Sequence, residues 1–585
     1  MTTYPVAVDW LAPSELRIGL GCMRLSTDPD RDAARADATI AAAVAAGITV
    51  FDTARAYGLD AGEFGHNERL LAGALRRCGG ERAARIVTKG GMTRAGGAWV
   101  PDGRAKAIRA DCEASLAALN GLDIDTYLLH APDPRTPWPT SVRALARLHA
   151  EGLVARVGVS NVNRPQLEEA LALAPISAVQ IALSVRDDGA LRGGLVERCA
   201  ELGIALIAHS PLGGPRRAPA LARRRELAQV AGRHDASPAE VALAWLLSLA
   251  PTVVAIPGAR RPETASSAAR AAGLTLSDAD RTALRPAPRS APAPAEHPAR
   301  AGDVVMIMGI PGAGKTRAAL EYVARGYERL NRDERGGELR GIAEALDERL
   351  AGGVRDIVLD NTYLTRAARS DVIATARRHG AAVRCMWFNT PLAQAQVNLV
   401  ARLIDRFGAV PSPDELRDLA RSTEGVMAPT SQMRTLRELE PPVRDEGFSD
   451  VQEIPFQRAP DERDGAGVLV AAPALACAGW EAAVASADPA APHLLFDWRP
   501  DAEPSVLEGA VAQLRTVVSG QVTPVLCPHG AGPPRCWCRP PLPGLALAFA
   551  TTHGLAVSRC VVIGSGPAHR TLANALGARH IPVVP

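Results

Sequence analysis

Lysine is almost missing from this chain. Of the 66 Lys and Arg residues among 585, only Lys89, Lys106 and Lys315 are lysines. GC-rich coding explains the general preference for arginine, but lysine should survive best where arginine cannot replace it. Arginine carries a wide, planar, permanently charged head, whereas lysine carries a slim point charge with a tunable pKa. The three lysines therefore serve as pointers. Net charge is also scarce, at +3, which excludes a strongly basic nucleic-acid or membrane-surface protein. No apolar run reaches the roughly 18–20 residues that span a bilayer. The start, MTTYPVAVDWLAPSELRIGL, lacks a basic stretch leading into an apolar one, so no signal peptide is expected. The ten cysteines are scattered except at Cys527, Cys536 and Cys538. That excludes a disulfide framework and indicates a reducing, cytoplasmic location. With 47% hydrophobic and 22% charged residues, the chain is neither disordered nor fibrous.

Two shifts in composition divide it. Residues 286–302 are rich in Pro and Ala without hydrophobic periodicity, as in a semi-rigid linker. A weaker break falls at APDERDGAG, residues 459–467. The expected domains are 1–285, 303–458 and 467–585, each of ordinary domain size.

The first segment alternates short β-branched runs with helix-length, Ala- and Leu-rich text. The runs LRIGLG, ITVFDTA, RIVTKG, IDTYLLH, ARVGVS, SAVQIAL, IALIAHS and TVVAIPG give a strand pattern repeated eight times. Parallel βα units in that number predict an α/β chain opening with a TIM (β/α)8 barrel, whose chemistry sits at the C-terminal strand ends. Asp52, Lys89 and His130 fall at such ends, with Tyr57 on the loop after Asp52. The stretches FDTARAYG, IVTKGG, DTYLLHAPDP, ARVGVSN and IPGARRPE resemble the aldo-keto reductase family across most of residues 10–285. The resemblance implies a catalytic tetrad of Asp52, Tyr57, Lys89 and His130 and an NADPH cofactor reducing a small-molecule carbonyl. In it Tyr57 is the proton donor, with its pKa lowered by the Lys89 ammonium. It also implies nicotinamide contacts from Ser160, Asn161 and Gln180. His209 stands where the family has a stacking aromatic, ahead of the Ser210-Pro211-Leu212 turn, and Gly258 and Arg260 fall at the adenosine phosphate. Where the family often has Glu-Asn, this chain has Ser267 and Ala268.

The second segment contains VVMIMGIPGAGKTRAAL. The spacing G-x-x-x-x-G-K-T from Gly309 to Thr316, between an apolar strand and a helix, is a Walker A phosphate loop. Gly309, Gly312, Ala313 and Gly314 supply the backbone cradle. Lys315 is placed for the β- and γ-phosphates of ATP and Thr316 for Mg2+. With GYERLNRDERGG, DIVLDNTYLT and QAQVNLVARLIDRFG, the segment resembles the kinase domain of polynucleotide 5′-kinases. The resemblance implies Asp333 as the base that accepts the acceptor hydroxyl's proton, Asp360 near the nucleotide through magnesium, and a lid from Arg402 and Arg406. Gly336 stands where that family has arginine. Acidic and basic side chains nearly balance here, so the basic footprint of nucleic-acid binders is absent. The acceptor is a nucleic-acid 5′-hydroxyl or a small-molecule alcohol.

The third segment holds Cys527, His529, Cys536 and Cys538 within VLCPHGAGPPRCWCRPPLPG, a ligand set for tetrahedral structural Zn2+. This run and VVIGSGPAHRTLANALGARHIPVV resemble histidinol-phosphatase-type members of the haloacid-dehalogenase superfamily, implying a small Rossmannoid domain. That family's Asp-x-Asp, motif lysine and late acidic pair are replaced by Ala471-Ala472-Pro473, Pro540, and Ser565 with His569. Asp497, ending HLLFDW, is the acid nearest an active-site role. The whole reads as a carbonyl reductase fused to an ATP-dependent phosphotransferase and a zinc-bearing phosphatase relic. The alternative is an NADPH-sensing barrel that regulates an ATP-binding module.

Overall fold

The computed structural model describes residues 10–95, 98–215, 217–284, 302–458, 461–530 and 532–584. The chain divides into two compact units, residues 1–292 and 293–585. Most of the expected linker, residues 286–301, lies outside the described residues, as do residues 459 and 460 of the weaker break.

The first unit is an eight-stranded, all-parallel sheet with its strands in sequence order. They are β1 (Gly19–Gly21), β2 (Val50–Asp52), β3 (Arg85–Gly90), β4 (Thr126–Leu129), β5 (Arg156–Ser160), β6 (Ile176–Ala182), β7 (Ala205–His209) and β8 (Val253–Ile256). Parallel bridges Ile18–Ala255 and Gly21–Gly258 join the first strand to the last and close the barrel. The strands are buried along nearly their whole length because helices cover the outside and side chains fill the inside. Val50, Val87, Leu128, Ala178, Ile207 and Val254 form the inner core, with Trp10 packed among them. Capping boxes at Asn163/Gln166 and Ser237/Glu240 set the starts of two outer helices, each with Pro inside the first turn. After β3 the chain makes an antiparallel pair, Met92–Ala95 with Ala98–Pro101.

The second unit carries two five-stranded parallel sheets. The first comprises β9 (Asp303–Gly309), β10 (Glu328–Leu330), β11 (Asp356–Asp360), β12 (Ala382–Phe388) and β13 (Asp450–Ile454), ordered β10-β11-β9-β12-β13. The second comprises β14 (Val468–Ala471), β15 (His493–Trp498), β16 (Val522–Cys527), β17 (Val561–Gly564) and β18 (Arg579–Pro582), ordered β16-β15-β14-β17-β18. Both orders reverse direction beside the first strand of the sheet, the place where doubly wound folds open a crevice. The two sheets are not separate bodies. The helix Leu392–Phe407 of the first lends Leu399, Val400 and Leu403 to the core of the second, beside Trp537, Leu547 and Leu572.

Candidate functional site

The C-terminal ends of the barrel strands gather the residues singled out from the sequence. Lys89 is fully buried, and its ammonium donates to Asp52 Oδ1 at 2.7 Å, Thr53 O at 2.8 Å and Tyr57 Oη at 3.1 Å. Three N–H groups thus meet three acceptors, all within 3.1 Å. Asp52 Oδ1 also accepts from Gln180 Nε2 at 2.7 Å. Burial pulls the ammonium's pKa down, but Asp52 and Tyr57 outweigh it and the net shift is upward. At Tyr57 burial dominates as well. It pushes the phenol above its ordinary value, and the opposing pull of Lys89 does not reverse this. Lys89 acts downward on the phenol, as expected, while burial acts upward and is the larger of the two. His130 is held well below the usual imidazole range, first by burial and then by the charges of Lys89 and His209. It is neutral at pH 7, and its Nδ1 is buried with no hydrogen-bond partner among the described residues.

Tyr57 and His130 meet edge to face at 5.7 Å, and Trp99 lies 6.0 Å from each. Together they wall a cavity of about 410 Å3 that also touches Ser160, Asn161, Gln180, His209, Ser210, Leu212 and Gly258. Asn161 Nδ2 donates to His130 O at 3.0 Å and lies 3.2 Å from Ser160 Oγ. His209 Nε2 lies 3.2 Å from Asn161 Oδ1, and its Nδ1 3.3 Å from Ser210 Oγ. Asn161 and Ser210 both take positive φ, 57° and 51°, a strained geometry that clusters at functional sites. Arg260 stands apart from the cavity lining, in ion pairs with Asp28 at 3.0 Å and Asp30 at 2.6 Å. Ser267 is turned to Glu240 at 2.9 Å.

In the second unit the phosphate loop follows β9 and runs into the helix Lys315–Val323. Gly309, Gly312 and Gly314 have φ of 152°, 86° and 97°. At Gly312 a Cβ would sit 2.2 Å from Ala395 O, so only glycine fits. Lys315 Nζ donates to Gly309 O and Ile310 O at 3.0 Å each, lying across the loop's mouth. Loss of solvent lowers its pKa to about 8, with Asp360 raising it and Arg402 lowering it. Ala313 is buried beneath the loop and Thr316 is exposed on the first turn of the helix. Asp360 is buried, with Oδ2 held by Arg329 at 2.6 Å. Asp333 is half exposed, pairs with Arg332 at 3.1 Å and acts electrostatically on both Lys315 and Arg402. Arg402 and Arg406 donate to Gly425 O and Glu424 O at 3.1 Å each.

Cys527, His529, Cys536 and Cys538 converge, with all four ligand atoms within 4.8 Å of one another. Cys527 Sγ lies 3.7 Å from Cys536 Sγ and 3.3 Å from Cys538 Sγ, and His529 Nδ1 3.2 Å from Cys538 Sγ. A tetrahedron with metal–sulfur bonds of about 2.3 Å has edges of about 3.8 Å, so the set matches that size. Cys538 Sγ–H donates to Cys527 Sγ, and the contacts among the three sulfurs pull the Cys536 thiol downward. Asp497 accepts from Trp498 N and Arg499 Nε at 2.8 Å each. Lys106 is exposed on the helix Ala105–Leu119.

Several neighbours of these sites gave no sequence signal. Trp99 and Met92 reach the barrel mouth from the antiparallel pair, and Met23 from the loop after β1. Asn398 and Gln432 donate to Gly312 O and Pro311 O at 2.8 Å each. They come from distant helices, and no local spacing marks them.

Comparison with known proteins adds the following. A model described as the aldo/keto reductase family matches residues 17–287, and one described as an AAA domain matches residues 304–421. Aldo-keto reductase str7 of Strobilurus tenacellus is 30% identical over 294 residues, 45% of this chain and 84% of that protein. Probable aldo-keto reductase 1 of Glycine max is 32% identical over 301 residues, 45% and 83% respectively. The crystal structure of an aldo/keto reductase from Klebsiella pneumoniae in complex with NADP and acetate is 26% identical. It covers 47% of this chain and 93% of its own, with a TM-score of 0.40. Among the described residues no helix is long and apolar enough to cross a membrane.

Proposed function

The chain belongs, through residues 17–287, to the aldo/keto reductase family, and from that premise we propose that its barrel is an NADPH-dependent reductase of a small-molecule carbonyl. The observation that carries this is the buried chain Asp52–Lys89–Tyr57, opening on a cavity walled by His130 and Trp99. NADPH supplies the hydride when bound. Tyr57 donates its phenolic proton to the carbonyl oxygen. Lys89, 3.1 Å away, stabilises the phenolate left behind, and Asp52 keeps the ammonium charged. Neutral His130 orients the carbonyl through a ring N–H. Ser160, Asn161 and Gln180 have the amide and hydroxyl groups to hold a carboxamide, with His209, Ser210 and Leu212 against the ring. At the other end Gly21 lies so near Ile256 O, 2.9 Å from where a Cβ would stand, that a cofactor meets bare backbone there. Gly258 lies beside it, and Arg260 faces a phosphate once released from Asp28 and Asp30.

The second unit, in this reading, is an ATP-dependent phosphotransferase acting on an alcohol, either a nucleic-acid 5′-hydroxyl or a small molecule. Gly309, Gly312, Ala313, Gly314 and Lys315 would cradle the phosphates, and Thr316 with Asp360 would hold Mg2+. Asp333 would orient the hydroxyl, and Arg402 and Arg406 would cover the transferring group. Cys527, His529, Cys536 and Cys538 fit a structural Zn2+. The sheet that bears them, without acidic residues at Ala471 and Ala472, is read as a haloacid-dehalogenase-like relic that serves stability and contact. Tyr57→Phe is expected to lower carbonyl reduction by about 10²–10⁴-fold and leave ATP turnover unchanged. Lys315→Ala is expected to do the reverse. Carbonyl reduction that survives Tyr57→Phe rejects Tyr57 as the proton donor and with it the tetrad assignment. Labelled γ-phosphate offered to 5′-hydroxyl RNA, DNA and small alcohols side by side identifies the acceptor.

A further inference from the structure

Trp537 stands between Cys536 and Cys538, yet it belongs to the apolar core that joins the last sheet to the helix Leu392–Phe407. Its side chain is completely buried, and its indole Nε1–H donates to Met427 O at 3.1 Å. Met427 lies in the loop 423–428, between the helices Pro413–Ser422 and Pro429–Glu438. The carbonyls of that loop hold the lid: Glu424 O accepts from Arg406 and Gly425 O from Arg402. Both arginines project from Leu392–Phe407, whose Asn398 donates to Gly312 O and whose Ala395 packs on Ile310 and Ala313. From the helix that follows the loop, fully buried Gln432 donates to Pro311 O at 2.8 Å. A continuous path of packed side chains and hydrogen bonds therefore runs from the Cys/His cluster, through Trp537 and loop 423–428, to the lid arginines and the phosphate loop.

We propose that the Cys527/His529/Cys536/Cys538 loop is a positioning arm for phosphoryl transfer: with a zinc-class cation bound it fixes Trp537, and Trp537 fixes the loop that aims Arg402 and Arg406. This rests on the reading of the second unit as a phosphotransferase. Trp537 is a positioning residue that does not reach the nucleotide. Asn398 and Gln432 brace Gly312 and Pro311 from their own helices, whereas the indole N–H acts on the loop carbonyls beside the arginines, so ADP affinity should be insensitive to loss of that N–H. The arginines act where the γ-phosphoryl group moves, so the arm should matter only there.

The test uses the full chain. Two variants, Trp537→Phe and Cys538→Ser, are compared with the unaltered protein for zinc content, ADP binding, ADP–aluminium fluoride binding and ATP turnover. Trp537→Phe keeps an aromatic ring and all four Cys/His ligands but removes the N–H together with the pyrrole half of the indole. Loss of that hydrogen bond corresponds to about a three- to tenfold effect. The expected result is ADP affinity within twofold of the unaltered chain in Trp537→Phe, whereas Cys538→Ser, which also loses the stability the metal supplies, reports zinc content and the direction of the effect. Binding of the ADP–aluminium fluoride mimic and kcat should fall by about that three- to tenfold in Trp537→Phe. In Cys538→Ser, with zinc lost, the fall should be larger. Unchanged mimic binding and kcat in Trp537→Phe overturn the proposal. So does parallel loss of ADP affinity in that variant, which marks collapse rather than misplacement of the lid. An unaltered chain that binds no ADP sinks the phosphotransferase reading and takes the arm's role with it.

Discussion

The ammonium of Lys89 has one acceptor for each of its protons, and each acceptor does something different. Asp52 balances the charge, Thr53 O fixes the direction, and Tyr57 Oη receives the field. The net electrostatics leave Tyr57 a protonated phenol and His130 a neutral ring. The pH dependence follows from those directions. A proton donor must be protonated, and a pKa raised above about 10 keeps Tyr57 so through the alkaline range. A ring that acts when neutral loses activity only on protonation, and its lowered pKa moves that event below about 6.5. Reduction measured as kcat/KM should therefore be flat from about pH 7 to 9. An inflection inside that window would contradict the assignment of the two groups.

At the scale of the element, the phosphate loop works only because its glycines let other backbones come close. Gly312 combines positive φ with Ala395 O in the place of a Cβ. Gly312→Ala is expected to destabilise the second unit by about 2–4 kcal/mol, from left-handed strain plus overpacking. It should also weaken ADP binding. Gly341, within the helix Leu339–Ala351, meets nothing within 4 Å. Gly341→Ala is expected instead to add about 0.5–1 kcal/mol from helix propensity. Urea titration of the two variants gives opposite signs if the loop geometry is right and equal signs if it is not. The barrel's antiparallel pair makes a parallel point. Met92 and Trp99 shape the mouth from an excursion whose sequence, GMTRAGGAWVP, has no residue pattern that announces a wall.

At the scale of the molecule, two compact units carry the sites, and in the second the core of the Cys/His-bearing sheet takes in the helix Leu392–Phe407 of the other sheet, whose strands pack in cores of their own. A structural zinc contributes on the order of 10 kcal/mol to the fold that binds it. Calorimetry with a strong chelator should therefore lower the melting transition of the second unit and leave that of the barrel in place. A chelator that moves neither transition would remove the metal from the account of stability. The barrel was legible from the sequence because each strand is a short β-branched run and eight of them recur with helix-length spacing. The Walker loop was legible because phosphate binding demands glycine and lysine at fixed intervals. Arg260, Asp360 and Gln180 were found by position, but their partners were not. Asp28, Asp30 and Arg329 lie far from them in sequence, and Asp52 meets Gln180 across 128 residues.

The scarcity of lysine points to two sites, and it does so by local chemistry alone. Lys89 and Lys315 sit where a slim charge must fit among backbone and buried oxygens, while Lys106 lies in solvent. Sequence by itself thus determined the strand and helix alternation, the phosphate loop and the Cys/His cluster by residue type at short spacing, and it named Asp52, Tyr57, Lys89 and His130, which the structure brings to one barrel mouth. Only the tertiary structure decided the strengths and the couplings. Burial, which depends on everything packed around a group, set Tyr57 upward against its own lysine. Packing of one helix between two sheets joined the metal loop to the lid, because a buried indole needs an acceptor and the nearest carbonyl belongs to the loop that holds the lid arginines.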